Sequence, residues 1–313
     1  MVNPQIIIYC PLHRPFTSIS KRWEQIEHAL SEAGVKDYDM VQSEKAQSVE
    51  RLIQTAINKG YKDIIIAGGD SALNDAVNCL MRLEKQEREG IALGVIPNGV
   101  MNDFASFWGL SYNNISKAAQ AIAERRIRKV DAGCIRYTSS KNESIQRYFL
   151  NSINIGLLAN IQRLRQATRR KLWSRKISFA MSLLLMITQK IEYKITYTIN
   201  YVTETHHIMT MCIGSALGYG QTPNAVPYNG QLDITIVRRS LWMQMFEAIY
   251  LFMRGKILAH KRVRPYRAKS IEISSNSKLP LSIDGHPAES PVGAFVVDVL
   301  QEEINFIIEP LKR

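Results

Sequence analysis

Two short apolar runs, each followed at once by a turn with glycine and aspartate, constrain this chain most. The first run covers residues 64–67 and leads into the Gly-Gly-Asp of residues 68–70. The second covers residues 91–96 and leads into the turn of residues 97–103. Short β-branched runs bounded by glycine are typical of buried parallel strands. Ligands bind beyond the carboxyl ends of such strands, so we expect the two turns to meet at one candidate site.

The order of the predicted elements divides the chain into two domains. Over residues 1–129, short strands alternate with amphipathic helices, which predicts βαβ units and a parallel sheet. Over residues 130–301, longer strands follow one another directly, which predicts a larger, mainly antiparallel sheet. A last strand at residues 304–308 is expected to return to the first domain, so residues 302–313 are assigned there. The predicted fold class is therefore an α/β N-terminal domain followed by a β-rich C-terminal domain, with the active-site cleft between them.

Helical periodicity predicts three further elements that bear on the site. One helix begins at Ser71, directly after the first glycine turn, and continues to Glu89. Two others, over about residues 159–189 and 241–258, interrupt the strands of the second domain. The longest apolar run falls short of the roughly 20 residues that a membrane-spanning helix needs.

The net charge of +12 concerns binding partners and not the fold. Positive charge is concentrated in two clusters, residues 163–176 and 254–269. The first cluster precedes the apolar segment ISFAMSLLLMI, a combination that fits the surface of an anionic membrane. Solvated helix faces explain both clusters equally well. Nucleic acid is the weaker explanation, because the basic stretches lack interleaved aromatic residues and carry no known nucleic-acid motif.

The four cysteines lack the CxxC spacing of zinc sites and do not form a disulfide framework. No basic segment with a long apolar stretch begins the chain, which argues against a signal peptide. We therefore expect a reducing, cytoplasmic location, with peripheral contact at the inner face of the membrane left open. A homodimer is also left open.

Five segments occur in an order that a known family shares. The first turn reads GGDSALND and the second reads PNGVMNDFA. The segments NSINIGLLANI, PNAVPYNGQLD and IDG follow in the C-terminal half. In this order and spacing the chain resembles the diacylglycerol kinase catalytic-domain family, which includes sphingosine kinases and bacterial lipid kinases and shares a fold with NAD kinases. The resemblance covers nearly the whole chain.

The resemblance implies transfer of a phosphoryl group from ATP to a hydroxyl of a lipid such as diacylglycerol. It assigns Asp284 as general base toward the acceptor hydroxyl, and places Asp70 at the nucleotide and metal side of the cleft. It places Mg²⁺ at Asn229 and Asp233. The residues that it assigns to ATP binding are Gly68, Gly69, Asp70, Ser71, Asn74, Gly99, Asn102 and Asp103.

Several of these side chains also have simpler explanations. Asp70 and Asp103 follow glycine turns at predicted helix starts, where aspartate is favoured as an N-cap. Asp284 begins an Asp-Gly pair, which by itself indicates a hairpin turn. His286 replaces the glutamate of the family's Asp-Gly-Glu motif, and is either a surface turn residue or a substitute acid or base. Asn98 is expected to face solvent.

The positions that depart from the family pattern are those expected to bind phosphate and metal. Ser71 replaces a glycine of the first turn, Val100 and Met101 replace Thr-Gly in the second, and Asn229 replaces a metal-binding aspartate. Two functions therefore remain. The favoured one is an ATP- and Mg²⁺-dependent lipid kinase. The alternative is a divergent member that lacks ordinary ATP phosphotransfer and binds or transforms another amphipathic small molecule in the same cleft.

Overall fold

The computed structural model describes residues 4–11, 18–44, 46–99, 102–160, 192–217, 222–239, 244, 247–248, 250–251, 254 and 256–309. The chain divides into two units by its internal contacts. The first unit is Met1–Ala132 with Gln301–Arg313, and the second is Gly133–Leu300.

A parallel sheet forms the centre of the first unit, as the alternation of strands and helices predicts. Its strand order is β4 (Ala92–Pro97), β3 (Asp63–Gly68), β1 (Gln5–Tyr9) and β2 (Asp39–Gln42). The end of the last strand of the chain, β15 (Val292–Ile307), pairs in parallel with β4. The apolar runs of β1 and β3 are buried because helices of the unit pack against the sheet. The elements are β1 (Gln5–Tyr9), α1 (Ile19–Glu32), β2 (Asp39–Gln42), α2 (Ala46–Asn58), β3 (Asp63–Gly68), α3 (Asp70–Leu80), α4 (Lys85–Glu89), β4 (Ala92–Pro97), α5 (Asp103–Phe107) and α6 (Ile115–Glu124).

The single helix predicted from Ser71 to Glu89 is wrong, because α3 and α4 are separate helices. Glu84 adopts φ −58° and ψ 149°, which no helix continues through. The buried Arg88 donates to the carbonyl of Leu83 at 2.9 Å and to that of Glu303 at 3.1 Å. These bonds satisfy a carbonyl at the interruption and tie α4 to the C-terminal segment of the unit.

An antiparallel sheet forms most of the second unit, which agrees with the predicted fold class. Its main strand order is β14-β13-β7-β9-β8-β12-β15, while β10 pairs with β9 and β11, and β5 pairs with β6 and β15. Adjacent strands with alternating pleat place isoleucines on one face, where they form a core with Tyr197, Phe149 and Phe295. The elements are β5 (Ile127–Thr138), β6 (Ser144–Phe149), β7 (Ser152–Gly156), β8 (Tyr193–Ile199), β9 (Val202–Gly214), β10 (Leu232–Arg238), β11 (Val263–Ala268), β12 (Ser270–Ser274), β13 (Leu281–Ile283), β14 (His286–Ala288) and β15 (Val292–Ile307).

The strand predicted at residues 304–308 is the end of the longer strand β15. Glu302 adopts a left-handed φ of 55°, and its N–H donates to Asp131 at 3.0 Å. Because Asp131 accepts the N–H of Glu302 at this irregular residue, β15 continues beyond it.

The helix predicted at residues 159–189 lies almost entirely outside the described residues, as does the basic cluster at residues 163–176. Within the second predicted helix, the described residues 244, 247–248 and 250–251 are helical, and Ile257–Ala259 forms a 3₁₀ turn. Among the helices that the structure describes, none is long and apolar enough to cross a membrane.

Candidate functional site

The two glycine turns of the first unit are in direct contact. A Cβ atom added to Gly99 would lie 2.3 Å from the Cα of Gly69, and one added to Gly69 would lie 2.8 Å from the Cα of Gly99. The N–H of Asn98 donates to the carbonyl of Gly68 at 2.8 Å. The strands β3 and β4 therefore bring the turns together, as their parallel order predicts. Both glycines are required by this packing before any ligand is considered.

Asp70 joins the two turns through its side chain. Its carboxylate accepts the backbone N–H of Asp103 at 2.9 Å and that of Phe104 at 3.2 Å. Asp70 is the first residue of α3, and the residue before it, Gly69, is the N-cap. Asp70 thus caps α5 across the turn contact, which differs from the simple expectation that it caps its own helix. Asp103 is the first residue of α5 and contributes its N–H to this link.

Asn102 closes the second turn. It adopts the left-handed conformation with φ 54° and is the N-cap position of α5. Its Oδ1 accepts the N–H of Gly99 at 2.8 Å, and its Nδ2 donates to the carbonyl of Gly99 at 3.2 Å. Asn74 is buried in α3, where it accepts from Asn78, whereas Ser71 is exposed on the first turn of that helix. Of the predicted ATP-binding side chains, Asn102 therefore binds backbone of its own turn, Asn74 accepts from the side chain of Asn78, and Ser71 is exposed.

The expectation that Asn98 faces solvent is wrong, because this side chain is only 2% exposed. Its Nδ2 donates to the carbonyl of Cys10 at 3.0 Å, and its Oδ1 accepts from Nε of Arg22 at 3.3 Å. The guanidinium of Arg22 also donates to the carbonyls of Pro97 and Tyr112, at 3.3 and 2.7 Å. A buried arginine of α1 therefore fixes the second turn by hydrogen bonds to the Pro97 carbonyl and the Asn98 side chain.

Sequence reasoning missed Arg22, although its spacing carried a signal. Arg22 lies four residues before Ile26 and seven before Ala29, two buried positions of α1. These intervals place Arg22 on the apolar face of the helix. A cation on that face indicates a partner in the interior, and here the partners are the carbonyl oxygens near the site.

Cys10 lies directly after β1, at the edge of the first turn. A Cβ on Gly68 would lie 3.2 Å from that of Cys10. Burial, and to a lesser extent the carboxylate of Asp75, raises the pKa of the Cys10 thiol to about 12. The thiol is therefore neutral near physiological pH and is not an ionised nucleophile.

Asp284 lies in the second unit and forms the hairpin turn that its Asp-Gly pair predicts, while its predicted role as a base stays a prediction. Ile283 pairs with His286, which leaves Asp284 and Gly285 as a two-residue hairpin loop with φ values of 44° and 81°. The Asp284 carboxylate, in a residue only 5% exposed, also accepts the N–H groups of residues 150, 151 and 152 at 2.8, 2.9 and 2.8 Å. A turn residue alone needs no such contacts, so the hairpin presents a rigidly oriented carboxylate.

His286 follows this loop on β14. Its Nδ1 is buried and has no hydrogen-bond partner. Burial, assisted by the positive charge of Arg147, lowers the pKa of His286. The imidazole is therefore neutral near physiological pH, and in that state it is a potential base and not an acid. Its predicted catalytic role stays a prediction.

The predicted metal-binding residues are engaged elsewhere. Asn229 is exposed, and its Oδ1 accepts the N–H of Gln231 at 2.9 Å. Asp233 lies on β10 opposite Arg267 of β11, with 3.1 Å between Oδ1 and Nη2. Burial raises the pKa of Asp233, and Arg267 opposes that shift. Among the described residues, no three His, Cys, Asp or Glu side chains are grouped to hold a metal. A protein-built Mg²⁺ cage does not fit these residues.

Comparisons with known proteins address the family directly. Residues 16–135 match the diacylglycerol kinase catalytic domain, and residues 151–303 match the YegS C-terminal NAD kinase beta sandwich-like domain. A diacylglycerol kinase of Staphylococcus aureus strain JH9 is 30% identical over 249 residues, which cover 78% of this chain and 74% of that protein. The chain belongs to the diacylglycerol kinase family. The resemblance inferred from the five motifs is confirmed.

Other diacylglycerol kinases are also similar to this chain in sequence or in structure. A diacylglycerol kinase of Staphylococcus carnosus strain TM300 is 26% identical over 247 residues, 78% of this chain and 76% of that protein. A crystal structure of a diacylglycerol kinase from Bacillus anthracis strain Sterne superposes with a TM-score of 0.70, covering 99% of this chain and 98% of that chain at 18% identity. This likeness confirms the predicted fold class, an α/β unit with parallel strands and a β-rich antiparallel unit.

Proposed function

We propose that this chain transfers the γ-phosphoryl group of ATP to a hydroxyl of a lipid such as diacylglycerol. Membership of a kinase family supports phosphoryl transfer, and the names of the Staphylococcus relatives support a lipid acceptor. The observation that carries the proposal is the Asp70 link, which holds the two family glycine turns together at the ends of β3 and β4.

The first unit supplies the phosphate-binding side of the proposed reaction. The N-terminus of α3, an 11-residue helix, attracts anions through its amide groups and its dipole. Ser71 adds an exposed hydroxyl at that terminus. ATP, when bound, supplies the phosphoryl group and the ADP leaving group. We expect Gly68, Gly69 and Ser71 to contact the phosphates, and the rigid turn of Gly99 to Asp103 to shape the pocket beside them.

The second unit supplies the base. In the transfer, the acceptor hydroxyl oxygen bonds to the γ-phosphorus while the bond to the oxygen bridging the β- and γ-phosphates breaks. The hydroxyl proton passes to the carboxylate of Asp284. Three backbone N–H donors already orient that carboxylate, so little reorganisation is needed during the reaction. Mg²⁺ would enter with the nucleotide, since the described residues form no cage for it.

The second candidate is a family member without ordinary phosphotransfer. The pairing of Asp233 with Arg267 and the replacement of the metal-binding aspartate by Asn229 favour it, because both remove negative charge from the expected Mg²⁺ site. Such a protein would bind or transform another amphipathic small molecule.

The deciding experiment combines ATP calorimetry with phosphate transfer. ATP binding is measured with and without Mg²⁺ on wild type, on Asp70→Asn and on the control Asp37→Asn, which changes an exposed carboxylate in the same unit. Transfer of radiolabelled phosphate to dioctanoylglycerol in micelles is measured on wild type and Asp284→Asn.

We expect micromolar Mg²⁺-dependent binding, weakened by Asp70→Asn and unchanged by the control. Asp284→Asn should retain ATP binding and lose transfer by about a hundredfold or more. Absence of binding at millimolar ATP rejects the kinase and leaves the second candidate.

We also propose peripheral contact with anionic membranes, because the acceptor is a lipid. Between residues 254 and 271 the chain carries seven Lys and Arg residues and no Asp or Glu. Lys256, Lys261, Arg262, Arg264 and Lys269 of this basic segment are exposed. Binding to phosphatidylglycerol-containing vesicles should exceed binding to pure phosphatidylcholine vesicles and weaken with salt. Equal binding to both would reject this contact.

A further inference from the structure

An asparagine at the centre of the second unit's sheet lacks a hydrogen-bond partner. Asn154 lies in β7, is 1% exposed, and its Oδ1 is buried without a donor. The sequence neighbours Ile153 and Ile155 point into the apolar core, so Asn154 lies on the opposite face. Its cross-strand neighbours on that face are Ser282 of β13 and Cys212 of β9. The face is therefore small and polar around the unpartnered oxygen.

A buried acceptor without a donor destabilises the folded chain, and such atoms in native proteins call for an explanation. A valine or leucine at this position would avoid the cost. A ligand that brings its own donor explains the amide, because the missing bond then forms when the ligand binds.

Asn154 is close in the sheet to the proposed base. Ser152 lies two residues earlier in β7, on the same face, and its N–H donates to the Asp284 carboxylate at 2.8 Å. The N–H of Asp284 in turn donates to the carbonyl of Ser152 at 2.9 Å. Two residues along a strand span about 7 Å. A small head group held at Asp284 therefore reaches Asn154 without leaving this unit.

We infer that Asn154 Oδ1 accepts a hydrogen bond from a second donor group of the acceptor lipid, next to the hydroxyl that is phosphorylated. The inference rests on the proposed function and narrows its substrate class. Monoacylglycerols carry a second hydroxyl and ceramides carry a second hydroxyl and an amide N–H. Diacylglycerol has one hydroxyl only, and its ester oxygens accept but do not donate. A lipid with two donors in its head group is thus the preferred acceptor, and diacylglycerol, which lacks the second donor, is a weaker one.

The test compares two ligands that differ by one hydroxyl. Monooctanoylglycerol has two free hydroxyls, and the monooctanoyl ester of propane-1,3-diol has one. Their binding to the full chain is measured by calorimetry without nucleotide, and kcat/KM for each is measured with ATP. The proteins are wild type, Asn154→Leu, Asn154→Ser and the control Thr235→Val. Thr235 is a buried polar residue in the same cross-strand row, about 10 Å further from Asp284.

We expect wild type and Thr235→Val to bind the glycerol ester about 5- to 100-fold more tightly than the propanediol ester. Both Asn154 variants should bind the two esters equally. Asn154→Leu should unfold at a temperature no lower than wild type, a result that a purely structural asparagine would not give. If Asn154→Leu fails to fold, Asn154→Ser still allows the two esters to be compared without the amide.

Equal binding of the two esters by wild type, or a preference that survives in the Asn154 variants, overturns the inference. Failure of the proposed function has a different signature. In that case wild type binds the glycerol ester selectively but transfers no phosphate to it. Transfer to both esters at equal kcat/KM rejects the role of Asn154 and leaves the kinase intact.

Discussion

Gly69 and Gly99 touch through their backbones, with only 2.3 Å available between the Gly69 Cα and a Cβ built on Gly99. Because the obstacle is backbone, no side chain can rotate away. We predict that Gly99→Ala lowers the free energy of unfolding by about 1–3 kcal/mol and weakens ATP binding. Urea unfolding and calorimetry measure the two effects.

Gly90→Ala is the matched control for this substitution. Gly90 ends α4 with φ −80°, and its added Cβ would come no closer than 3.3 Å to another atom. For Gly90→Ala we expect the free energy of unfolding to fall by less than about 1 kcal/mol and ATP binding to be unchanged. Equal losses for the two alanine variants would contradict the close contact of the turns.

Arg22 should prove as important for the second turn as the glycines. Its guanidinium holds the Pro97 carbonyl and the Asn98 amide, and it stacks 3.7 Å from the centre of the Tyr112 ring. Arg22→Met leaves these buried acceptors without their donor and should cost about 2–4 kcal/mol of unfolding free energy. The adjacent, exposed Lys21 provides the control Lys21→Met, for which a change within about 0.5 kcal/mol is expected. A similar small effect for both would show that Arg22 does not support the turn.

His286 should make stability depend on pH. Burial lowers its pKa in the folded chain, so the unfolded chain, with a pKa near 6.5, takes up the proton first as pH falls. The contribution of the neutral His286 to the free energy of unfolding is fully present above about pH 6.5 and is lost progressively below it. His286→Asn should therefore lose less stability than wild type between about pH 7 and pH 5. Denaturant midpoints across this range measure the difference, and parallel curves would contradict it.

The cysteine thiols should be unreactive in the folded protein. Burial raises the pKa of Cys79 and of Cys134 to about 11, and that of Cys10 and of Cys212 to about 12. We expect iodoacetamide to label the native chain about a hundredfold more slowly than the unfolded chain near pH 8. Cys10, the one thiol of the four that is half-buried, should react first, as mass spectrometry of timed samples would show. Rapid labelling of Cys212 would contradict the burial.

Much of this protein could be predicted from local pattern. The apolar runs before Gly68 and Gly99 predicted parallel strands, and period-two alternation predicted the antiparallel sheet of the second unit. The Asp-Gly pair predicted the hairpin at Asp284, because two left-handed residues in sequence require such side chains. These features depend on a few neighbouring residues, and the chain alone specifies them.

Tertiary structure decided which partner each polar side chain takes. Asp70 could cap its own helix by local rules, yet it caps α5, because β3 and β4 lie side by side and bring the two turns together. Asn98 looked like a solvent-facing turn residue, but Arg22, 76 residues away in the chain, holds it in the interior. The sequence by itself determined most of the strands and helices, the glycine turns and the family. Only the fold decided that Asp233 pairs with Arg267 and that Asn154 has no donor, since hydrogen bonds between distant residues depend on strand register, which a local pattern does not contain.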